Sequence, residues 1–134
     1  MNLDIGVLVR GALEHSGCTG GQIGNFDGYS TIALELDGLP SVYIGSENND
    51  FWIWSELGEF SASQISYCSD ALLTELMRAC DYARPRQAQL LNLDGVLELR
   101  VLLGEMALGD PQHMAAALDQ FLESLTNCSE ALRR

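Results

Sequence analysis

Residues 31 to 54 read TIALELDGLPSVYIGSENNDFWIW, and the fold follows from how apolar and polar side chains take turns along them. Ile32, Leu34 and Leu36 alternate with Thr31, Ala33 and Glu35, the period of a strand with one buried face. Asp37-Gly38 has the composition of a turn, and a second strand is expected from Pro40 to about Gly45. Glu47 to Asp50 supply the next turn, so a third strand runs through Phe51, Trp52, Ile53 and Trp54. Three strands joined by short turns make an antiparallel meander. Trp52 and Trp54 fall on one face of the third strand, Phe51 and Ile53 on the other. Both faces are therefore apolar, which fits either a strand covered on both sides or one whose outer face is a platform for a partner.

Before the meander, Ile5, Leu8, Val9, Ala12 and Leu13 share one helical face, widened by Leu3 and Val7, over residues 3 to 16. Asn2 is the expected cap and Gly17 the expected stop. Residues 18 to 28 are rich in Gly and form a connector. After the meander, Ser61 and Gln64 stand at capping-box spacing ahead of a helix expected to reach about Tyr82, with Ile65, Cys68, Leu72, Leu76 and Cys80 on one face and Leu73 and Met77 beside it. An apolar arc so wide is covered on two sides. Pro85 follows, then strand-like runs at about 87 to 93 and 96 to 103, hinged at Asp94-Gly95. Asp110 and Pro111 open a last helix carrying Leu118, Phe121, Leu122, Leu125 and Leu132 at helical spacing. The order is helix, three antiparallel strands, helix, two strands, helix, an α+β layer arrangement.

Composition narrows what such a layer can serve. With 134 residues, 47% of them hydrophobic, the chain is expected to close one core as a single domain. A net charge of −12, with only seven Lys and Arg, disfavours nucleic acid and an anionic membrane and suits a basic or neutral polypeptide partner. Asp4 and Arg10 interrupt the first apolar run, so no signal peptide is expected, and no stretch reaches the roughly 20 apolar residues of a membrane span. Cys18, Cys68, Cys80 and Cys128 form no C-x-x-C pair, which favours free thiols in a reducing cytoplasm.

Catalytic chemistry finds little to work with. The run from Gly17 to Gly24 lacks the Gly-Lys-Ser/Thr ending of a phosphate loop and follows a helix instead of a strand. His15 and His113 are the only histidines, without HExxH or paired thiols, so no metal site and no cofactor are expected. Glu35 with Asp37 and Glu56 with Glu59 read as solvated carboxylates, and no Ser has a nucleophile-elbow setting. The chain is expected not to be an enzyme.

Several blocks then match a known family in identity, order and spacing. Leu3-Asp4-Ile5, Leu8-Val9-Arg10, Ala12-Leu13-Glu14 and Ser16-Gly17-Cys18 resemble its opening helix. Ser30-Thr31-Ile32 with Leu34, Leu36 and Leu39-Pro40-Ser41 resemble its first two strands, and Trp52-Ile53-Trp54 with Leu57-Gly58 its third. Beyond residue 60 the likeness rests on Ala83-Arg84, element order and length. The chain thus resembles the InvB/SpaK family of class I type III secretion chaperones. That resemblance implies an acidic cytoplasmic bacterial homodimer, built mainly on the second helix and neighbouring strands, without nucleotide hydrolysis. It also implies binding of the N-terminal segments of secreted virulence effectors in extended form, and, by analogy, docking on the export ATPase or sorting platform.

Physically, an effector segment without a core of its own needs apolar surface from elsewhere, through strand addition at a sheet edge or amphipathic pieces in grooves. The candidates for effector contact are Ile5, Leu8, Val9, Ala12, Leu13, Ile32, Leu34, Val42, Ile44, Trp52 and Trp54, some of which must instead be core. Leu72, Leu73, Leu76, Met77 and Cys80 are the candidates for the dimer contact. The alternative is a general protein-interaction or regulatory module of the same fold outside secretion.

Overall fold

Two dipeptides that tolerate left-handed backbone organise the sheet. Asn48 and Asn49 have φ of 54° and 68°, and Asp94 and Gly95 have φ of 52° and 89°, the paired positive values of a two-residue hairpin turn. The first pair joins β2 (Val42–Glu47) to β3 (Asp50–Glu59), and the second joins β4 (Gln89–Leu93) to β5 (Val96–Leu102). The computed structural model describes residues 4–17 and 31–133. The expected Gly-rich connector at 18 to 28 and the expected cap Asn2 lie outside the described residues.

With β1 (Ile32–Leu34) the strands form one sheet in the order β1-β2-β3-β5-β4, antiparallel throughout. The two hairpins meet along a seam from Trp52 opposite Leu102 to Glu59 opposite Val96, with a register shift between Glu56 and Gly58. Gly58 takes φ of 124° at that irregularity, a conformation that side chains rarely adopt. The third strand thus reaches Glu59, beyond the apolar run that announces it.

Helix α1 (Ile5–His15) is capped by Asp4 instead of Asn2: its carboxylate accepts from the Val7 N–H at 3.2 Å. Gly17, at φ 96°, stops it as expected. Helix α2 (Ala62–Leu76) starts at Ser61, whose hydroxyl accepts from the Gln64 N–H at 3.3 Å. It ends before Tyr82 because the later backbone has other partners. The Arg84 N–H donates to the Leu102 carbonyl and the Gly104 N–H to the Tyr82 carbonyl, both at 2.9 Å, so residues 82 to 84 pair beyond the end of β5. A short helix that no sequence pattern announces, α3 (Glu105–Gly109), precedes α4 (Pro111–Arg133), where Asp110 accepts from the His113 N–H at 2.7 Å.

Helix α4 organises the core: α1, α2 and α3 pack on it, and it packs on β3. Its buried Met114, Phe121 and Leu125 join Ile53, Leu99 and Val101 of the sheet in one apolar cluster. The described helices therefore lie on one side of the sheet, and alternation along each strand sends the intervening side chains to the other.

Candidate functional site

Strand alternation divides the candidate residues into two sets. Ile5, Leu8, Val9 and Ala12 of α1, with Ile32, Val42 and Ile44 of the sheet, are between 0% and 6% exposed and belong to the chain's own core. Their stripe faces α4, along which α1 packs, and the core shared with the sheet. Leu13 and Leu34 are partly buried against the same core. Val7, on the other side of α1, is exposed.

Trp52 and Trp54 are on the outer face, partly buried, while Ile53 and Ser55 point inward and are fully buried. Among the described residues, the strand is therefore covered by helices on one side only. The Trp54 ring stacks on Tyr43 with centroids 5.7 Å apart and planes 25° apart. Gly45 makes room for it: a Cβ there would meet Trp54 Cη2 at 3.2 Å and Thr31 Oγ1 at 3.0 Å. The Arg100 guanidinium lies over the Trp52 ring, 4.4 Å from its centroid. Arg100 Nε also stands 3.3 Å from Glu98 Oε2, at ion-pair distance but without hydrogen-bond geometry. Burial raises the Glu98 pKa, Arg100 opposes that, and Glu56 directly across the seam adds to it.

Helix α2 also has two faces. Leu72 is buried toward α4, and Leu76 is partly buried. Cys80 is buried too, but in the turn after the helix and not on its face. Leu73 and Met77, one turn apart, are 60% and 73% exposed. Between α2 and α4 a groove of about 400 Å³ is lined by Asp70, Thr74, Glu75, Asn127 and Glu130. Its buried carboxylate, Glu75, is satisfied by Arg78 at 3.2 Å and Asn127 at 3.0 Å, and Arg78 also reaches Glu123 at 3.0 Å. The hydrogen bond and charge of Glu75, then those of Glu123, raise the Arg78 pKa.

The two histidines stand at helix ends. His113 Nδ1 stands 2.7 Å from Asp110 Oδ2 at the start of α4, and His15 ends α1. Burial raises the Tyr82 pKa strongly. Among the described residues no three His, Cys, Asp or Glu are grouped to hold a metal ion, and no helix is long and apolar enough to cross a membrane. What the arrangement offers is surface: an aromatic sheet face, the edge strand β1 and the apolar ridge of α2.

Tyr43, Gly45, Glu98 and Arg100 belong to that outer face but do not stand out in the sequence. A signal for Tyr43 exists, since a two-residue turn at Asn48-Asn49 places it opposite Trp54. Arg100 depends on the long-range seam, which no local pattern announces.

Comparison with known proteins gives a concordant result. A family model described as the Invasion protein B family matches residues 17–94. The surface presentation of antigens protein SpaK of Salmonella typhimurium and that of Salmonella typhi are each 38% identical over 133 residues, covering 99% of this chain and 98% of theirs.

Proposed function

Because the chain belongs to the Invasion protein B family, we propose that it is a type III secretion chaperone, which holds the N-terminal segment of secreted effectors in extended, export-competent form. The observation that carries this reading is the outer face built by Tyr43, Trp52, Trp54 and Arg100, a partly exposed aromatic surface with no described helix packed on it. Beside it, β1 is one of the two edge strands among the described residues, β4 being the other, and its main-chain groups can pair with an added strand. Leu34 of β1 and Leu13 of α1, both partly buried, together with Trp52 and Trp54, are the effector contacts in this reading. Ile5, Leu8, Val9, Ala12, Ile32, Val42 and Ile44 support them from the core.

The same reading makes the protein a homodimer. Leu73 and Met77 form the exposed ridge, Leu76 is partly buried, Leu72 is buried in the core, and Cys80 is buried in the turn that follows the helix. An effector wrapped around such a dimer buries more than the roughly 1,600 Å² of an ordinary interface. Part of that gain offsets the ordering of the segment, about 2–5 kcal/mol. The acidic surface, at −12 overall, suits basic or neutral effector segments in the bacterial cytoplasm, and docking on the export ATPase or sorting platform belongs to the same reading. No catalytic step is assigned.

Co-expression with candidate effectors from the same genome, followed by size exclusion with light scattering, tests this. The expected product is two copies of the chain with one effector, lost when the effector's N-terminal segment is deleted, and converted to monomer by Leu73→Asp or Met77→Asp. A dimer that retains no effector would return the chain to a general interaction module. A dimer unchanged by both substitutions would remove α2 from the contact.

A further inference from the structure

The outer face of the sheet carries a pair of side chains that its own surroundings leave unsatisfied. Glu56 of β3 stands directly opposite Glu98 of β5, a cross-strand position where like charges repel. Glu56 is exposed, whereas Glu98 is only 7% exposed although no described helix packs on this face. Apolar side chains frame the two carboxylates. Leu91 lies opposite Glu98 on the β4 side, and Val96 and Trp54 stand two residues before Glu98 and Glu56 on the same face.

Arg100 is the cation beside them. Its Nε stands 3.3 Å from Glu98 Oε2 without hydrogen-bond geometry, because the guanidinium lies over the Trp52 ring. Glu98 Oε2 is thus a buried acceptor without a donor, a costly state, and two negative charges stand against one positive. Among the described residues Glu56 has neither a hydrogen bond nor an ion pair. The ladder shifts register between Glu56 and Gly58, an irregularity of the kind that re-aims side chains beside binding sites. A like-charged pair, an unmet buried acceptor and a bulge at one spot of an apolar face break the local rules of sheet construction, and such breaks mark functional positions.

Resting on the chaperone reading for the identity of the partner, we infer that Glu56 and Glu98 together hold one basic side chain, Lys or Arg, of the effector segment laid over the outer face. The cation lies over the two carboxylates and offsets their repulsion. The Glu98 carboxylate turns easily about its last torsion, which brings its unbonded oxygen to the surface beside Glu56. Residues of the segment on either side of the cation are apolar and rest on Trp54, Leu91 and Val96.

Trp52 and Trp54 are the only tryptophans of the chain, so intrinsic tryptophan fluorescence reports on this face. The test titrates the folded full-length chain with a short synthetic peptide alternating Leu and Lys, and with counterparts carrying Glu or Gln in place of Lys. A saturable change in fluorescence is expected with the Lys peptide and with neither counterpart. Glu56→Gln and Glu98→Gln each weaken binding by about tenfold or more, the loss of one charged hydrogen bond. Asp70→Asn, which removes a carboxylate of α2, leaves it unchanged. Circular dichroism checks that each variant is folded, and the exposed Glu56 decides alone if Glu98→Gln is not. No fluorescence change, equal binding of the three peptides, full affinity in a folded glutamine variant, or an equal loss with Asp70→Asn would each overturn the acceptor pair. Effector recovery in co-expression keeps the two readings apart. A chain that binds the Lys peptide as expected but retains no effector loses the effector as occupant, whereas one that retains effector but ignores the peptide loses the acceptor pair alone.

Discussion

Substituting Gly45 by alanine adds one methyl group where Trp54 lies across β2. The new Cβ would stand 3.2 Å from Trp54 Cη2 and 3.0 Å from Thr31 Oγ1. Thr31 is exposed and can turn its hydroxyl away, whereas Trp54 is held by its stack on Tyr43. Against the strain works the usual gain of replacing glycine, about 0.4–1 kcal/mol from the less disordered unfolded chain. Overpacking costs about 1–3 kcal/mol, and a loosened aromatic stack forfeits part of about 0.5–1.5 kcal/mol. Strain wins, and Gly45→Ala is expected to destabilise the fold by about 1–2 kcal/mol, a fall of roughly 3–8 °C in Tm for a domain of this size. The decisive assay is a double-mutant cycle with Trp54→Leu, followed by urea and thermal unfolding. In the leucine background the methyl has space, so the same change is expected to be neutral or stabilising by up to about 1 kcal/mol. Equal effects in the two backgrounds, or stabilisation in the Trp54 background, would refute the packing of Trp54 over Gly45 on the outer face.

Two further outcomes are expected. Ser61→Ala removes the acceptor of the Gln64 N–H and lowers stability by about 1 kcal/mol, measured by chemical denaturation. Glu98 has a folded-state pKa above its ordinary 4.5, so the folded state holds the proton more tightly. The stability this gives is complete below that ordinary value and is lost as pH rises through the folded pKa. Glu98→Gln is expected to flatten that part of the dependence of Tm on pH between 4.5 and neutrality, and an unchanged slope would count against burial as the cause.

Much of the architecture was legible because it is written in short-range chemistry. The meander, the Asp94-Gly95 hairpin, the Ser61 and Asp110 caps and the Gly17 stop each depend on residues within a few positions of one another. What escaped depends on contacts far apart in the chain. Helix α2 ends at Leu76 because Tyr82 and Arg84 pair with residues 102 to 104, and nothing in the run from Cys68 to Cys80 reports that competition. Among the site candidates the same limit shows on α1: Ile5 and Leu8 satisfy a helical stripe equally whether the face opposite belongs to α4 or to a partner. Leu73 and Met77 differ from Leu72 only in which side of one helix they occupy, and the position of α4 decides between them.

The strand order also bears on how the chain reaches this state. Each hairpin closes through a two-residue turn, so β2 with β3 and β4 with β5 can form from neighbouring residues alone. The seam between β3 and β5 cannot, since all of α2 and the first hairpin strand β4 intervene from Phe60 to Gly95. Closing that excursion costs about 2–3 kcal/mol more in chain entropy than closing a two-residue turn. Docking of the two halves is therefore expected to be slower than closing either hairpin. Because β5 comes later in the chain than the first hairpin, the seam edge of β3 has no partner until β5 has been made.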